Sequence, residues 1–409
     1  MAGVLEDYVP IVGEGVVAEL RLLGERLAGK RVVNVNSTRS GGGVAEILNR
    51  LIPLLNEVGL KARWEVISGT EEFFALTKHL HNALHGTPHQ FTAADHGIYN
   101  NVTAHNLQNL NLDADLMFIH DPQPAGLIRA RDDLGGRWLW RCHIDVSAPA
   151  PSAWEFIAPL VQRYDLSVFS APQFARTMDL PQVLIAPSID PLSDKNRPLS
   201  TGEVETILTR LGIRNDKPIV TQVSRFDRLK DPVGVVKAWQ IARRRVDCQL
   251  ILAGGSATDD PEGAEVLREV REAAGSDPDV HILDLPPDAN LEINAIQRAS
   301  AVILQKSLRE GFGLTVSEAL WKWKPVIAGA VGGIPLQITH RYSGILTHTV
   351  EGTAFWIKQL LSAPEYARRL GENGHNHVRN SFLLTRHMRD YLLAFIYAND
   401  NKEDDIVFL

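Results

Sequence analysis

Glu310-Gly-Phe-Gly-Leu-Thr-Val-Ser-Glu318 sets two carboxylates eight positions apart across a glycine-rich turn. The apolar run Ala301–Leu304 before it reads as a buried strand, and Leu314 to Trp321 reads as the start of a helix. Glu310 is then expected on the loop at the strand's end, with Glu318 in the first turns of the helix. Backbone N–H groups around Gly313 and Leu314 have no intrahelical partner there. They and the helix dipole favour an anion at the mouth of the loop, a place for a phosphate with hydroxyl-rich rings on either side. By itself such a pair is more often a helix-start acid and a solvated loop charge. The glycines between the two acids, and the residues upstream, argue for a ligand site.

Working outward, short apolar runs alternate with helical patterns along the whole chain. Strands are expected at Val32–Asn36, Arg63–Ile67, Leu116–His120, Trp138–His143, Leu166–Phe169 and Val183–Ala186. In the second half they are expected at Ile219–Val223, Gln249–Ala253, Val280–Leu283, Ala301–Leu304 and Pro325–Ala328. Continuous apolar strands separated by helices indicate parallel sheets covered on both faces. The stretch Pro187 to Ser200 reads as a linker, after which the strand–helix rhythm restarts. The expected organisation is α/β, with two Rossmann-like domains at residues 1–190 and 191–380. A helical segment at 381–409 would return to the N-terminal domain.

With 409 residues the chain exceeds one ordinary core. Its 44% hydrophobic and 22% charged residues fit a soluble globular protein, and a net charge of −7 gives no electrostatic reason to expect nucleic acid or a membrane. No apolar run approaches a membrane span, and the N-terminus has no basic segment leading into an apolar one. Cys142 and Cys248 lack metal-type spacing, so free thiols in a reducing cytoplasm are expected. The histidines form no HExxH-like cluster, and no metal-ligand set is expected.

Other strand ends carry candidate chemistry. Arg225 and Lys230 follow the strand Ile219–Val223, before an Asp231-Pro232 helix start. They sit where parallel sheets bind ligands, and fixed cations suit a diphosphate leaving group. Gly41, Gly42 and Gly43 fall between a strand and a helix, where missing side chains let a backbone approach a ligand. The spacing is not the dinucleotide fingerprint, and a plain turn accounts for it as well. The segments His120-Asp-Pro-Gln123 and Trp140-Arg-Cys-His-Ile-Asp145 put polar residues at two further strand ends, where they are expected to face a ligand. A structural histidine is the plain alternative for His143. Gly332-Gly333 reads as another backbone-contact loop.

Together these residues resemble the retaining family 4 glycosyltransferases of GT-B fold, in which two Rossmann-like domains face each other across a cleft. Gly41–Gly43, His120-Asp-Pro-Gln123 and Trp140-Arg-Cys-His-Ile-Asp145 are similar to the trehalose glycosyltransferring synthases. The likeness runs from about Val32 to the C-terminus. It departs from the larger family at Gln337, where many members carry an acid after the Gly-Gly pair. The resemblance implies transfer of glucose from a nucleoside diphosphate glucose to free glucose, giving α,α-trehalose with retention. It assigns Arg225 and Lys230 to the diphosphate, and Glu310 with Gly311, Phe312, Gly313 and Leu314 to the donor sugar. Glu318 would hold the ribose, the Gly41–Gly43 loop the phosphate and His143 the donor hexose. Asp121, with His120 and Gln123, would hold the acceptor. No tightly bound cofactor is implied; Mg²⁺ would accompany the nucleotide. The expected partners are small molecules, nucleoside diphosphate glucose, glucose and trehalose, with a homodimer as the candidate assembly.

Rival readings use the same residues. Trehalose phosphorolysis or 2-epimerisation of a nucleotide sugar would need a similar anion site. A glycoside hydrolase would need Glu310 and Glu318 to flank one bond about 5–10 Å apart. A nucleotide-sugar-binding module would show no turnover.

Overall fold

The computed structural model describes residues 4–39, 43–255 and 261–400. The chain divides into two compact units: the part up to Ser188 with the stretch from Leu384 onward, and Ile189–Leu383. Each contains one six-stranded sheet, and every strand pair in both sheets is parallel.

The first sheet comprises β1 (Arg31–Asn36), β2 (Lys61–Val66), β3 (Leu116–His120), β4 (Arg137–Arg141), β5 (Leu166–Phe169) and β6 (Gln182–Leu184), in the order β2-β1-β3-β4-β5-β6. Its inner strands are apolar runs buried along nearly their whole length. The helix Leu384–Asp400 belongs to this unit, with Tyr391 and Phe395 edge-on to Phe118 of β3 at 4.9 and 5.5 Å.

The second sheet comprises β7 (Ile219–Val223), β8 (Gln249–Gly254), β9 (Val280–Asp284), β10 (Val302–Gln305), β11 (Val326–Gly329) and β12 (Ile345–Thr347), in the order β12-β11-β10-β7-β8-β9. Val220, Leu250, Val302 and Ile327 from four of these strands pack with Trp239 of the helix Pro232–Ala242 into one core.

Two expectations need correction. β4 ends at Arg141, so His143 lies beyond the ladder, although Cys142 N–H still bonds the Val168 carbonyl at 3.0 Å. β12 is an additional, three-residue edge strand that the sequence pattern did not mark.

Candidate functional site

In the second unit the chain runs from β7 outward through β8 and β9, then returns to lay β10 against the other side of β7. That reversal opens a crevice at the carboxyl ends of the two strands, the usual ligand position in open parallel sheets. Lys230 follows β7 and Glu310 follows β10, and their side chains meet at 2.5 Å. The two loops are joined at several further points. Gln222 of β7 accepts from Lys306 N–H at 2.9 Å and donates to the Lys230 carbonyl at 2.9 Å. Leu308 N–H bonds the Leu229 carbonyl at 2.7 Å, and Lys306 pairs with Asp231.

One oxygen of Glu310, Oε2, collects Lys230, the Ser307 hydroxyl at 3.1 Å and the Gln305 amide at 3.4 Å. Its Oε1 meets no protein donor among the described residues. Arg225 is not bonded to this pair. It lies on the Lys230 loop with its guanidinium half-exposed, held by Asp227 at 2.9 Å. Asp231 caps the helix Pro232–Ala242 through Gly234 N–H at 3.0 Å, with Pro232 in the first turn, as cap chemistry predicts. Its φ of +47° was not foreseen.

Gly311, Phe312 and Gly313 carry the chain from Glu310 into the helix Leu314–Trp321. Gly313 is the N-cap, in the left-handed region at φ +81°. Neither Gly313 nor Leu314 donates its N–H to a partner among the described residues. Phe312 is buried and packs edge-on against Phe382 at 5.5 Å, so its ring is part of the core. Glu318 lies in the second turn, buried, with Lys195 at 3.7 Å from its carboxylate.

Lys195 comes from the stretch read as a linker, and that stretch is firmly attached. Asn294 donates to the carbonyls of Asp194 and Arg197, Arg298 to those of Asn196 and Arg197, and Lys322 Nζ to Asn196 Oδ1 at 2.9 Å. Burial brings the Lys322 ammonium down to about 7. At Gly332 the backbone of the Glu310 loop approaches so closely that a Cβ would lie 1.5 Å from the Glu310 carbonyl oxygen. The pair supports the Glu310 loop from behind.

In the first unit the equivalent reversal lies between β1 and β3. Gly41 and Gly42 lie outside the described residues; Gly43 begins the helix Gly43–Glu57. At the end of β3, His120 is buried instead of facing outward. Its Nε2 lies 3.1 Å from Asn34 Oδ1 and its Nδ1 lies 3.1 Å from His143 Nε2. The contact between the two rings requires one imidazole nitrogen to donate and the other to accept. Burial holds both imidazoles neutral, His120 down to about 3 and His143 well below its ordinary value. Asp121, at φ +68°, accepts His143 N–H at 2.7 Å; burial pushes its carboxyl up to about 6. Gln123 lines a small recess with Asn106, Thr103, Ile67 and Phe73.

Sequence reasoning missed Gln222, Gln305, Lys306 and Ser307. Their signal was polarity inside or directly after an apolar run, since buried polar groups need partners. No group of three or more His, Cys, Asp or Glu side chains is placed to hold a metal, and no helix is long and apolar enough to cross a membrane, among the described residues.

Residues 203–377 match the glycosyl transferases group 1 family. The fold is similar to that of the UDP-forming α,α-trehalose-phosphate synthase of Burkholderia xenovorans in complex with glucose-6-phosphate. The TM-score is 0.73 at 13% identity, over 90% of this chain and 100% of that one. The class is therefore a group 1 glycosyltransferase of GT-B fold. Residues 34–176 match the trehalose synthase N-terminal domain family. A trehalose synthase of Rubrobacter xylanophilus is 43% identical, over 96% of each chain. A trehalose phosphorylase of Pleurotus pulmonarius is 28% identical, over 97% of this chain and 61% of its own length. This chain belongs to the trehalose synthase family.

Proposed function

We propose that the protein is a retaining glucosyltransferase that joins the glucose of a nucleoside diphosphate glucose to free glucose, giving α,α-trehalose and the nucleoside diphosphate. The observation that carries this reading is the Lys230–Glu310 pair at the β7/β10 reversal, beside a helix start with undonated N–H groups. Lys230 and Arg225 stabilise charge on the departing diphosphate. Glu310 uses its unoccupied Oε1 for donor-sugar hydroxyls, and Glu318 holds the ribose. From the family likeness, His143 is assigned to the donor hexose and Asp121 to the acceptor.

No protein nucleophile is needed. The bond from C1 to the phosphate oxygen breaks and the bond from C1 to the acceptor oxygen forms on the same face. The acceptor's proton passes to the leaving phosphate. Positioning and electrostatics supply the rate. The carboxylates Asp227, Asp231, Glu310 and Glu318 are each paired with a cation. As the family likeness implies, Mg²⁺ would accompany the nucleotide.

A second reading, phosphorolysis of trehalose, is favoured by the likeness to the phosphorylase. One experiment separates them: purified protein is incubated with glucose and each of ADP-, UDP- and GDP-glucose, and separately with trehalose and phosphate. Trehalose with nucleoside diphosphate is the expected outcome. Glucose 1-phosphate appearing only with phosphate would overturn the transferase assignment.

A further inference from the structure

The side chain of Gln337, at the end of the short helix Ile334–Gln337, is fully buried. Its Oε1 accepts the Ser317 hydroxyl at 2.6 Å, and its Nε2 donates to the Phe312 carbonyl at 2.6 Å and to the Gly313 carbonyl at 3.4 Å. Ser317 is in the first turn of the helix Leu314–Trp321, one residue before Glu318. One amide thus ties the two peptide groups entering that helix to the helix itself.

The peptide geometry gives these bonds a consequence for the site. A trans peptide is planar, with C=O and N–H pointing in opposite directions. Holding the Phe312 carbonyl therefore aims the Gly313 N–H, and holding the Gly313 carbonyl aims the Leu314 N–H. These N–H groups make no bond among the described residues and are the ones expected to meet the donor's phosphate. The geometry points to Gln337 as a positioning residue that aims the Gly313 and Leu314 N–H groups at the nucleotide sugar without touching it. This role rests on the transferase reading above.

A carboxylate has no donor, so it would set two acceptors against one. A protonated carboxyl regains one donor and one acceptor. The test compares Q337M and Q337E with the wild type, using glucose and the nucleotide glucose that the wild type accepts. Q337M should lose about ten- to a hundredfold in kcat/KM for the donor, the range that a misplacement of about 1 Å produces, with KM for glucose little changed. Q337E should approach wild-type activity at low pH and lose it as the introduced carboxyl ionises. That alkaline limb would be absent from the wild type and Q337M. Glu318 and His377, which bonds the Leu336 carbonyl, are the neighbouring titrating groups. They are common to all three proteins, so the limb is read against the wild type.

Melting curves establish that each variant is folded, and if Q337E does not fold, Q337M decides. Wild-type donor kinetics in folded Q337M, or a Q337E profile parallel to the wild type, overturns the role while leaving the transferase reading intact. A wild type that transfers no glucose from any nucleotide sugar removes both.

Discussion

Replacing Gly332 by alanine should disable the enzyme without unfolding it. Gly332 has φ +52°, and a Cβ there would lie 1.5 Å from the carbonyl oxygen of Glu310 and 2.7 Å from its carbonyl carbon. Real Cβ contacts essentially never fall below 3.0 Å, so the two backbones must part by about 1.5 Å. No side chain can rotate away to relieve the clash, because the opposing atoms are backbone. The displacement falls on the segment whose side chain bonds Lys230 at 2.5 Å. Since a misplacement of about 1 Å can cost about 10²-fold in rate, G332A should lose at least about 10²-fold in kcat/KM for the nucleotide sugar. Gly212 is the control: its φ is +71° and nothing lies within 4 Å of an added Cβ. G212A carries only the conformational penalty of a left-handed alanine, about 1 kcal/mol, and should keep its activity. The assay is nucleoside diphosphate release with glucose as acceptor, alongside thermal melting. A folded G332A within about threefold of G212A would refute the claim that this contact fixes the Glu310 loop.

K230A and E310A should each lower kcat by about 10²–10³-fold, the usual loss when one preorganised electrostatic contact is removed, with melting temperatures near wild type. Near-normal turnover in both would defeat the site assignment. The first unit should be acid-labile. His120 is held neutral down to about 3, whereas the unfolded chain protonates it below about 6.5. Its contribution is therefore complete above 6.5 and falls as the pH drops, by about 2 kcal/mol between pH 6.5 and 5. His143 and His387, also depressed by burial, act in the same direction. Asp121, raised to about 6, acts oppositely, its contribution present at low pH and lost as the pH rises through 6. One carboxyl opposes three imidazoles, so the net is a loss on acidification. Urea unfolding at pH 7.5 and pH 5, followed by tryptophan fluorescence, checks this; equal or greater stability at pH 5 contradicts it.

The strands were legible because parallel strands covered on both faces must be apolar throughout, and runs such as Leu116–His120 and Ile219–Val223 show that without tertiary information. Ile345–Thr347 escaped because three residues make no periodicity; pairing with β11 defines that strand. The end of β4 was overrun because Cys142 still shares in the ladder while His143 does not. At the site, the Asp231-Pro232 cap was legible since capping is local chemistry. The partnership of Lys230 and Glu310 was not, because strand order, not sequence order, places β10 beside β7. The glycines at 332 and 333 were read as a backbone-contact loop; what the sequence could not show is that the Glu310 carbonyl closes on Gly332 and leaves no room for a Cβ there.

The same geometry accounts for the neutral donors around Glu310. Three cations on these loops each face a carboxylate: Lys230 with Glu310, Lys306 with Asp231 and Arg225 with Asp227. On the proposed reading, a diphosphate would meet these three paired cations, within a chain whose net charge is −7. Attraction must come from local exchange of partners, not from a long-range positive field. If Lys230 turned to the phosphate and Glu310 had no other partner, a largely buried carboxylate would be left bare, at a cost that would offset much of the new contact. Ser307 and Gln305 remove that difficulty, because both already donate to the oxygen that Lys230 occupies. Glu310 could then release the cation and still hold its orientation, leaving Oε1 for the sugar that the proposed function places there. A lysine that can leave and a glutamate that need not move are what a donor site requires, because the diphosphate must be gripped during transfer and let go afterwards.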